Sequence, residues 1–542
     1  MLFLPGTRRG LKSSSIVLLF CMGMMVLFPD TKLYAKSFHF GSNVFRSETN
    51  LNAPDTKSIF SPNTFCFTVY MDSLVSAYIN KCQELEQVYS KKENESIWKA
   101  FNRICTQMEF LADVINHSDL AITEKNRLLL QFQKFYAIAI KVSYRAKDNF
   151  RVFHYMELSR LLNDPDKNII TSSISLDRLQ FELLKNKQQY LCYFEDGDYI
   201  YAIHLNGTDI TLKRIDFPGY QDSVQFFNAL CSDRQQLNAH YFNYARLANI
   251  LYIKLFAPMK IAPGNLLISP GEHFIPFDAL TTDLEGNDFL LFHFAISYTH
   301  SATRQFLIPE HSSFGNVDFL GIAPEIYSPK VSLPRLFGAV QSLQSIENCF
   351  ANSAILSQQS ASRKSFLEFM GNYSVLHIYS HAGLHSNQPI LFLHDNPVYI
   401  KDINLAKQSR LQLIFLAGCE TAVAGYGYGK ETYSLADRFV YAGVPSTIAT
   451  LWQVENKAVY AISETFYRLL KLGVSRNQAL QQAKIEFVKQ RIKANQLPYY
   501  WASIILLGDT DPLTSTPSKQ DMFSFAAIVN IGLFAFSRRF RI

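Results

Sequence analysis

No two of the eight cysteines in this 542-residue sequence stand at the two-residue spacing of a zinc knuckle or a dithiol redox motif, so neither chemistry is written locally. The body of the chain also lacks net charge. The formal +6 resides in Arg8, Arg9, Lys12 and Lys32 against Asp30 at one end and in Arg538, Arg539 and Arg541 at the other. No basic field is left to gather phosphates, which excludes nucleic acid as a direct ligand. Long apolar runs are scarce as well. The run Ile16–Phe28 lies behind Arg8, Arg9 and Lys12 and ahead of Leu33-Tyr34-Ala35, and residues 1–35 read as a secretory signal peptide. The run Met522–Ser537 covers about 24 Å of a roughly 30 Å hydrocarbon core, so flanking residues would have to snorkel. It ends in Arg538-Arg539-Phe540-Arg541, and the expectation for residues 513–542 is a linker and C-terminal transmembrane anchor with those arginines in the cytoplasm. The body would then be exported and membrane-anchored, at the periplasmic or extracytoplasmic face. Removing the signal takes Cys21 and leaves an odd number of cysteines; at least one thiol stays free unless chains cross-link, and Cys419 is the candidate.

What is present argues for order: 48% hydrophobic and 14% aromatic content over this length implies two or three folded units. From Thr68 to about Leu162 glycine and proline nearly vanish, and apolar residues recur at helical spacing, as in Leu128-Leu129-Leu130, Phe132, Phe135-Tyr136 and Ile138. Residues 36–170 are therefore expected to be an all-α module. Its segments Phe132–Ile140 and Tyr155–Arg160 resemble the last units of tetratricopeptide arrays, although no repeat of about 34 residues is evident. A degenerate repeat and a plain helical domain both remain open, and either could hold a protein partner.

After Asp164-Pro165-Asp166 the texture changes. Tyr190–Phe194 and Tyr199–Ile203 flank Glu195-Asp196-Gly197-Asp198, the signature of a hairpin. Short apolar runs follow (Leu266–Ile268, Phe319–Ile322, Val375–Tyr379, Leu413–Leu416, Thr447–Leu451), separated by helical patterns such as Ser342–Phe350 and Leu435–Tyr441. Runs apolar on both faces that alternate with helices imply an α/β unit over residues 171–512, a mainly parallel sheet flanked by helices, with function at the carboxyl ends of its strands.

Two of those ends carry chemistry. Val375–Tyr379 runs into Ser380-His381-Ala382-Gly383, and Leu413–Leu416 runs into Ala417-Gly418-Cys419-Glu420-Thr421. If the strands are neighbours, His381 and Cys419 emerge on one edge as acid/base and nucleophile. Backbone N–H groups of Cys419, Ala382 and Gly383 are the candidate donors to a developing oxyanion. The glycine-rich Gly425–Lys430, centred on Gly427, reads as a substrate loop, because no Lys-Ser/Thr follows to make a phosphate cradle. His385 is an alternative base, and His377, inside an apolar strand, suits the core. No metal or cofactor is expected.

Several collinear segments resemble the CHAT family, the caspase-like cysteine peptidase domain often found with tetratricopeptide repeats, within the wider group that holds caspases, separases and gingipains. They are Leu267–Leu280, Ile296–Thr303, Leu376–His381, Leu416–Ala422, Tyr441–Ser446, Ala449–Val454 and Tyr499–Ser503. The resemblance implies a caspase-like fold and a cysteine endopeptidase that acts on proteins or peptides and is latent until activated. It implies that Cys419 attacks the scissile carbonyl and His381 protonates the leaving amine. Ala382 stands where many members have glycine. Glu455, in Trp452-Gln453-Val454-Glu455-Asn456, stands where related peptidases place an acidic pocket residue, which would favour Lys or Arg before the cleaved bond; an exposed carboxylate starting the next helix is the equal alternative. Asp437 reads as a helix-surface charge or salt-bridge partner. A non-catalytic scaffold for protein–protein interaction is the rival to the whole reading.

Overall fold

A computed structural model describes residues 62–162, 164, 173–307, 317–386, 388–405, 409–418, 421, 434–453, 455–490 and 496–513. The chain divides into two compact units, Met1–Ala146 and Lys147–Ile542. The first consists of helices Pro62–Lys91, Glu95–His117, Ile122–Leu130 and Phe132–Arg145. The second of these begins where the Asn94 side chain accepts the Ser96 N–H at 2.7 Å, which satisfies one of the open donors of the first turn. Its buried stripe Phe101, Cys105, Met108, Ala112, Ile115 follows three- and four-residue spacing, and Phe132, Phe135, Tyr136, Ala139, Ile140 repeat it on the last helix. The helix Asn149–Leu161, expected in the helical module, belongs to the second unit instead. Its buried Glu157 accepts the Tyr190 hydroxyl at 3.0 Å, and its Arg160 donates to the Pro270 carbonyl at 2.8 Å.

Among the described residues of the second unit, eleven strands form one sheet in the order β3-β2-β1-β4-β5-β14-β13-β12-β8-β6-β7. These are β1 Gln188–Asp196, β2 Tyr199–Leu205, β3 Ile210–Asp216, β4 Gly264–Ser269, β5 Phe294–Tyr298, β6 Asp318–Ala323, β7 Asn352–Ser357, β8 Val375–Tyr379, β12 Leu413–Ala417, β13 Ser446–Thr450 and β14 Ile504–Gly508. A three-stranded sheet is made by β9 Ala382–His385, β10 Gln388–Phe392 and β11 Pro397–Tyr399. The hairpin pairs β1 with β2, and the remaining large-sheet strands run mostly parallel. Every residue of β8 and of β13 is buried, as strands covered on both faces require. Covering helices include Ala339–Glu347, Leu435–Tyr441, Asn456–Lys471 and Arg476–Gln490. This is the expected α/β class behind an all-α region.

Two features of the topology position the site. Strand β6 has β7 on one side and β8 on the other, so the winding reverses there and opens a crevice beyond the carboxyl ends of β6 and β8. Strands β13 and β14 are antiparallel, so β6, β8, β12 and β13 point their carboxyl ends to one edge, while β14, β5, β4 and β1 point theirs to the other.

Among the described residues no helix is long and apolar enough to cross a membrane. The expected membrane-anchored, exported placement is corrected accordingly, because the structure supplies no span to carry it. The two runs that suggested it, Ile16–Phe28 and Met522–Ser537, lie outside the described residues. Among the described residues, Cys82, Cys192, Cys231 and Cys349 are free thiols.

Candidate active site

Strands β8 and β12 are hydrogen-bonded neighbours, with Val375 opposite Leu413 and Tyr379 opposite Ala417. The register persists past the strand ends, where Ser380 N–H donates to Ala417 O at 3.4 Å. Gly418 sits so close to this neighbour that a Cβ on it would lie 2.8 Å from the Ser380 carbonyl oxygen. Only glycine fits there without backbone displacement. The two chains thus arrive side by side one residue before His381 and one residue before Cys419. Cys419 itself, together with Gly427, lies outside the described residues.

His381 is held on three sides. Its N–H donates to the Tyr327 hydroxyl at 3.1 Å, its carbonyl accepts from Phe392 N–H at 2.9 Å, and its ring Nε2 lies 2.9 Å from the Pro334 carbonyl. A carbonyl only accepts, so Nε2 carries a proton in that contact, and in the neutral ring Nδ1 is left as the basic nitrogen. The Tyr327 ring also packs beside the imidazole, with centroids 5.4 Å apart. Ser380 donates to Phe392 O and meets Tyr327 Oη at 3.1 Å, which ties the end of β8 to β10 and to the segment after β6.

The pairing of β9 with β10 separates the two candidate oxyanion donors that follow His381. Phe392 N–H bonds to His381 O, which makes residues 381 and 392 a hydrogen-bonded pair. Alternation along an antiparallel ladder then makes Gly383 and Ile390 the next such pair and leaves Ala382, opposite Leu391, with its N–H turned away from β10. Pro389 is consistent with this phase, since it faces Leu384 at a position where no N–H is needed.

Thr421 is buried and donates its hydroxyl to Leu416 O at 3.1 Å, while Thr450, at the end of β13, donates its hydroxyl to Gly418 O. A cleft opens over these strand ends, lined among others by Leu336, His381, Gly418, Thr450, Asn456 and Tyr460. Glu455 is exposed at the N-cap of the Asn456–Lys471 helix and is not among the cleft's lining residues, although its neighbours Gln453 and Asn456 are. His385 is exposed at the end of β9, beside Tyr399 at 5.9 Å, and does not line the cleft. His377 is fully buried with Nδ1 3.1 Å from Tyr467 Oη, and burial pushes its pKa down to about 3. Asp437 is buried too, 2.9 Å from His300 Nε2. Burial alone would raise its pKa, but the adjacent imidazole and the Ser434 N–H and hydroxyl outweigh that and hold the carboxyl below its ordinary value. Tyr327, Pro334, Thr421 and Thr450 were not singled out from the sequence. Only the threonines left a trace there, as hydroxyls at the ends of apolar runs.

Residues 245–509 match the CHAT domain family. The match lies within the second unit and takes in most of its mainly parallel α/β sheet. Among solved structures, two of the Saccharomyces cerevisiae separase–securin complex are similar, each at 12% identity, with TM-scores of 0.49 and 0.46. The matches cover 84% and 86% of this chain but 41% and 42% of those chains, so the protein spans less than half their length. No curated protein matches the sequence.

Proposed function

We propose that the CHAT domain is a caspase-like cysteine endopeptidase with Cys419 as nucleophile and His381 as acid/base. The observation that supports this best is the pairing of β8 with β12, which brings Ser380, the residue before His381, beside Gly418, the residue before Cys419. In this reading the Cys419 thiol passes its proton to His381 Nδ1, and its sulfur forms a bond to the scissile carbonyl carbon. His381 then returns that proton to the amine as the C–N bond breaks, leaving an acyl thioester that water hydrolyses. The Pro334 carbonyl steadies the imidazolium through Nε2. Ala382 N–H, free of the β9–β10 ladder, and the Cys419 N–H serve the oxyanion, whereas Gly383 N–H is engaged with β10.

The test is hydrolysis of a peptide panel together with thiol labelling. Wild type should cleave peptides and be labelled at Cys419, Cys419→Ala should lose both, and His381→Ala should keep the thiol but lose about 10²–10⁴-fold in kcat. Equal labelling of wild type and Cys419→Ala, with no cleavage by either, would favour a non-catalytic scaffold.

A further inference from the structure

Between the end of β6 and the helix Ala339–Glu347 the chain makes a loop whose two ends are bonded, because Leu336 N–H donates to Glu325 O at 3.0 Å. Two groups that hold His381 lie inside it. Tyr327, near one end, accepts the His381 N–H, and Pro334, near the other, offers its carbonyl to Nε2 at 2.9 Å. Glu325 closes the loop with its side chain as well. It is 5% exposed, its Oε1 accepts Arg335 Nε at 3.1 Å and Nη2 at 2.7 Å, and its Oε2 accepts Val340 N–H at 3.3 Å. Val340 lies in the first turn of the helix, where Gly338 as N-cap has no side chain to receive an open N–H, and the carboxylate receives it instead.

Glu325 does this from a left-handed backbone, with φ at +52°, which a side chain makes unfavourable and which glycine would relieve. Glycine would supply the turn but not the carboxylate. The effect falls on one carbonyl. Pro334 C=O and Arg335 N–H belong to one planar peptide group, whose far end is Arg335 Cα. Glu325 pins Arg335 twice: its carboxylate holds the guanidinium, and its carbonyl holds the N–H of the next peptide group, that of Leu336. Pinning Arg335 restricts the direction of the Pro334 carbonyl, and with it the choice of the His381 nitrogen that carries the proton. We propose that Glu325 is a positioning residue for His381, clamping Arg335 so that the Pro334 carbonyl holds the proton on Nε2 and leaves Nδ1 basic. The consequence for catalysis rests on the peptidase reading above; the consequence for the ring does not.

The experiment uses the full-length protein with its histidines labelled for nitrogen NMR, above the pH range in which an imidazole takes up its second proton. The His381 signals are those absent from His381→Gln. Wild type should show one bare and one protonated ring nitrogen, the protonated one being Nε2. In Glu325→Gln an amide NH2 replaces one accepting oxygen and meets Arg335 or Val340 as donor against donor. There, and in Arg335→Ala, the two nitrogen signals should move toward each other as the tautomers exchange. In both variants kcat on a cleaved peptide should fall by about 10-fold, part of the roughly 10²–10⁴-fold that acid–base catalysis supplies, with KM unchanged. The double variant should lose no more than the larger single loss, since both substitutions break one clamp. The Arg335 side chain is 45% exposed, and Arg335→Ala carries the test alone if Glu325→Gln does not fold. An unchanged His381 tautomer in the folded variants would overturn the proposal, and wild-type kcat alongside a lost tautomer would overturn its bearing on catalysis. A wild type that cleaves no peptide, with the tautomer still lost in the variants, would overturn the peptidase reading and leave the clamp standing.

Discussion

His377 and His381 leave β8 four residues apart and with different chemistry. His377 is enclosed on every side, and an imidazolium there would have no water and no carboxylate to compensate it; burial pushes its pKa down from 6.5 to about 3. The sign of the linkage follows. The unfolded chain binds this proton below about pH 6.5 and the folded chain does not until about pH 3, so stability is lost as pH falls through that window, at about 1.4 kcal/mol per unit for this one group. His377→Phe should flatten the decline in melting temperature between those limits, as thermal unfolding across pH would show; an unchanged slope would mean that the ring is not the group being titrated. His381, past the strand end and half-buried, lacks that enclosure, and its ring is oriented by a backbone carbonyl. A carbonyl has no residue identity, which is why Pro334 could not be read as a partner from the sequence although His381 could be picked out. Glu455 illustrates the same limit. Its position beside the crevice was legible, but whether an N-cap side chain turns inward or out depends on where the helix axis points, and Gln453 and Asn456 reach the cleft instead.

At the scale of elements, strands with continuous apolar runs were legible. Reading Leu266–Ile268, Phe319–Ile322, Val375–Tyr379, Leu413–Leu416 and Thr447–Leu451 as strands agrees with β4, β6, β8, β12 and β13 to within two residues at either end. Strand β7 was not picked out: at the sheet edge its residues are no more than partly buried, and its short apolar run Ala354-Ile355-Leu356 stands between serines. Strands β9 to β11 are short and follow the His381 turn, so nothing in their periodicity separates them from a loop. The Leu435–Tyr441 helix was legible by its pattern, and the structure begins it at a reciprocal capping box of Ser434 and Asp437. Its Asp437 also joins the helix to His300, beyond the end of β5. Asp437→Asn keeps the shape and removes the charge. The wild-type carboxylate, held below its ordinary pKa, stabilises the fold above about pH 4, and that contribution is lost as pH falls through its depressed value. The variant should therefore be less stable at neutral pH and should lack this acid-dependent loss. Equal stability of the two at pH 7 would show that the pair contributes nothing.

For the whole molecule, strand order is what a single sequence conceals most, because neighbours in a parallel sheet are chosen by packing across long crossovers. The sheet also extends beyond the CHAT match, through β1, β2 and β3, and ends at an edge where Lys213 and Arg214 are exposed, charges of the kind that discourage edge-to-edge pairing. The reversal at β6 and the pairing of β8 with β12 create one crevice that neither strand could form alone. The most direct test of that crevice as a peptidase site is a crystal structure of the full chain with a peptide aldehyde bound. The account predicts a covalent bond from Cys419 Sγ to the aldehyde carbon and His381 Nδ1 within hydrogen-bond reach of the adduct, with Nε2 still on the Pro334 carbonyl. An aldehyde bound elsewhere, with the Cys419 thiol far from the His381 ring, would contradict it.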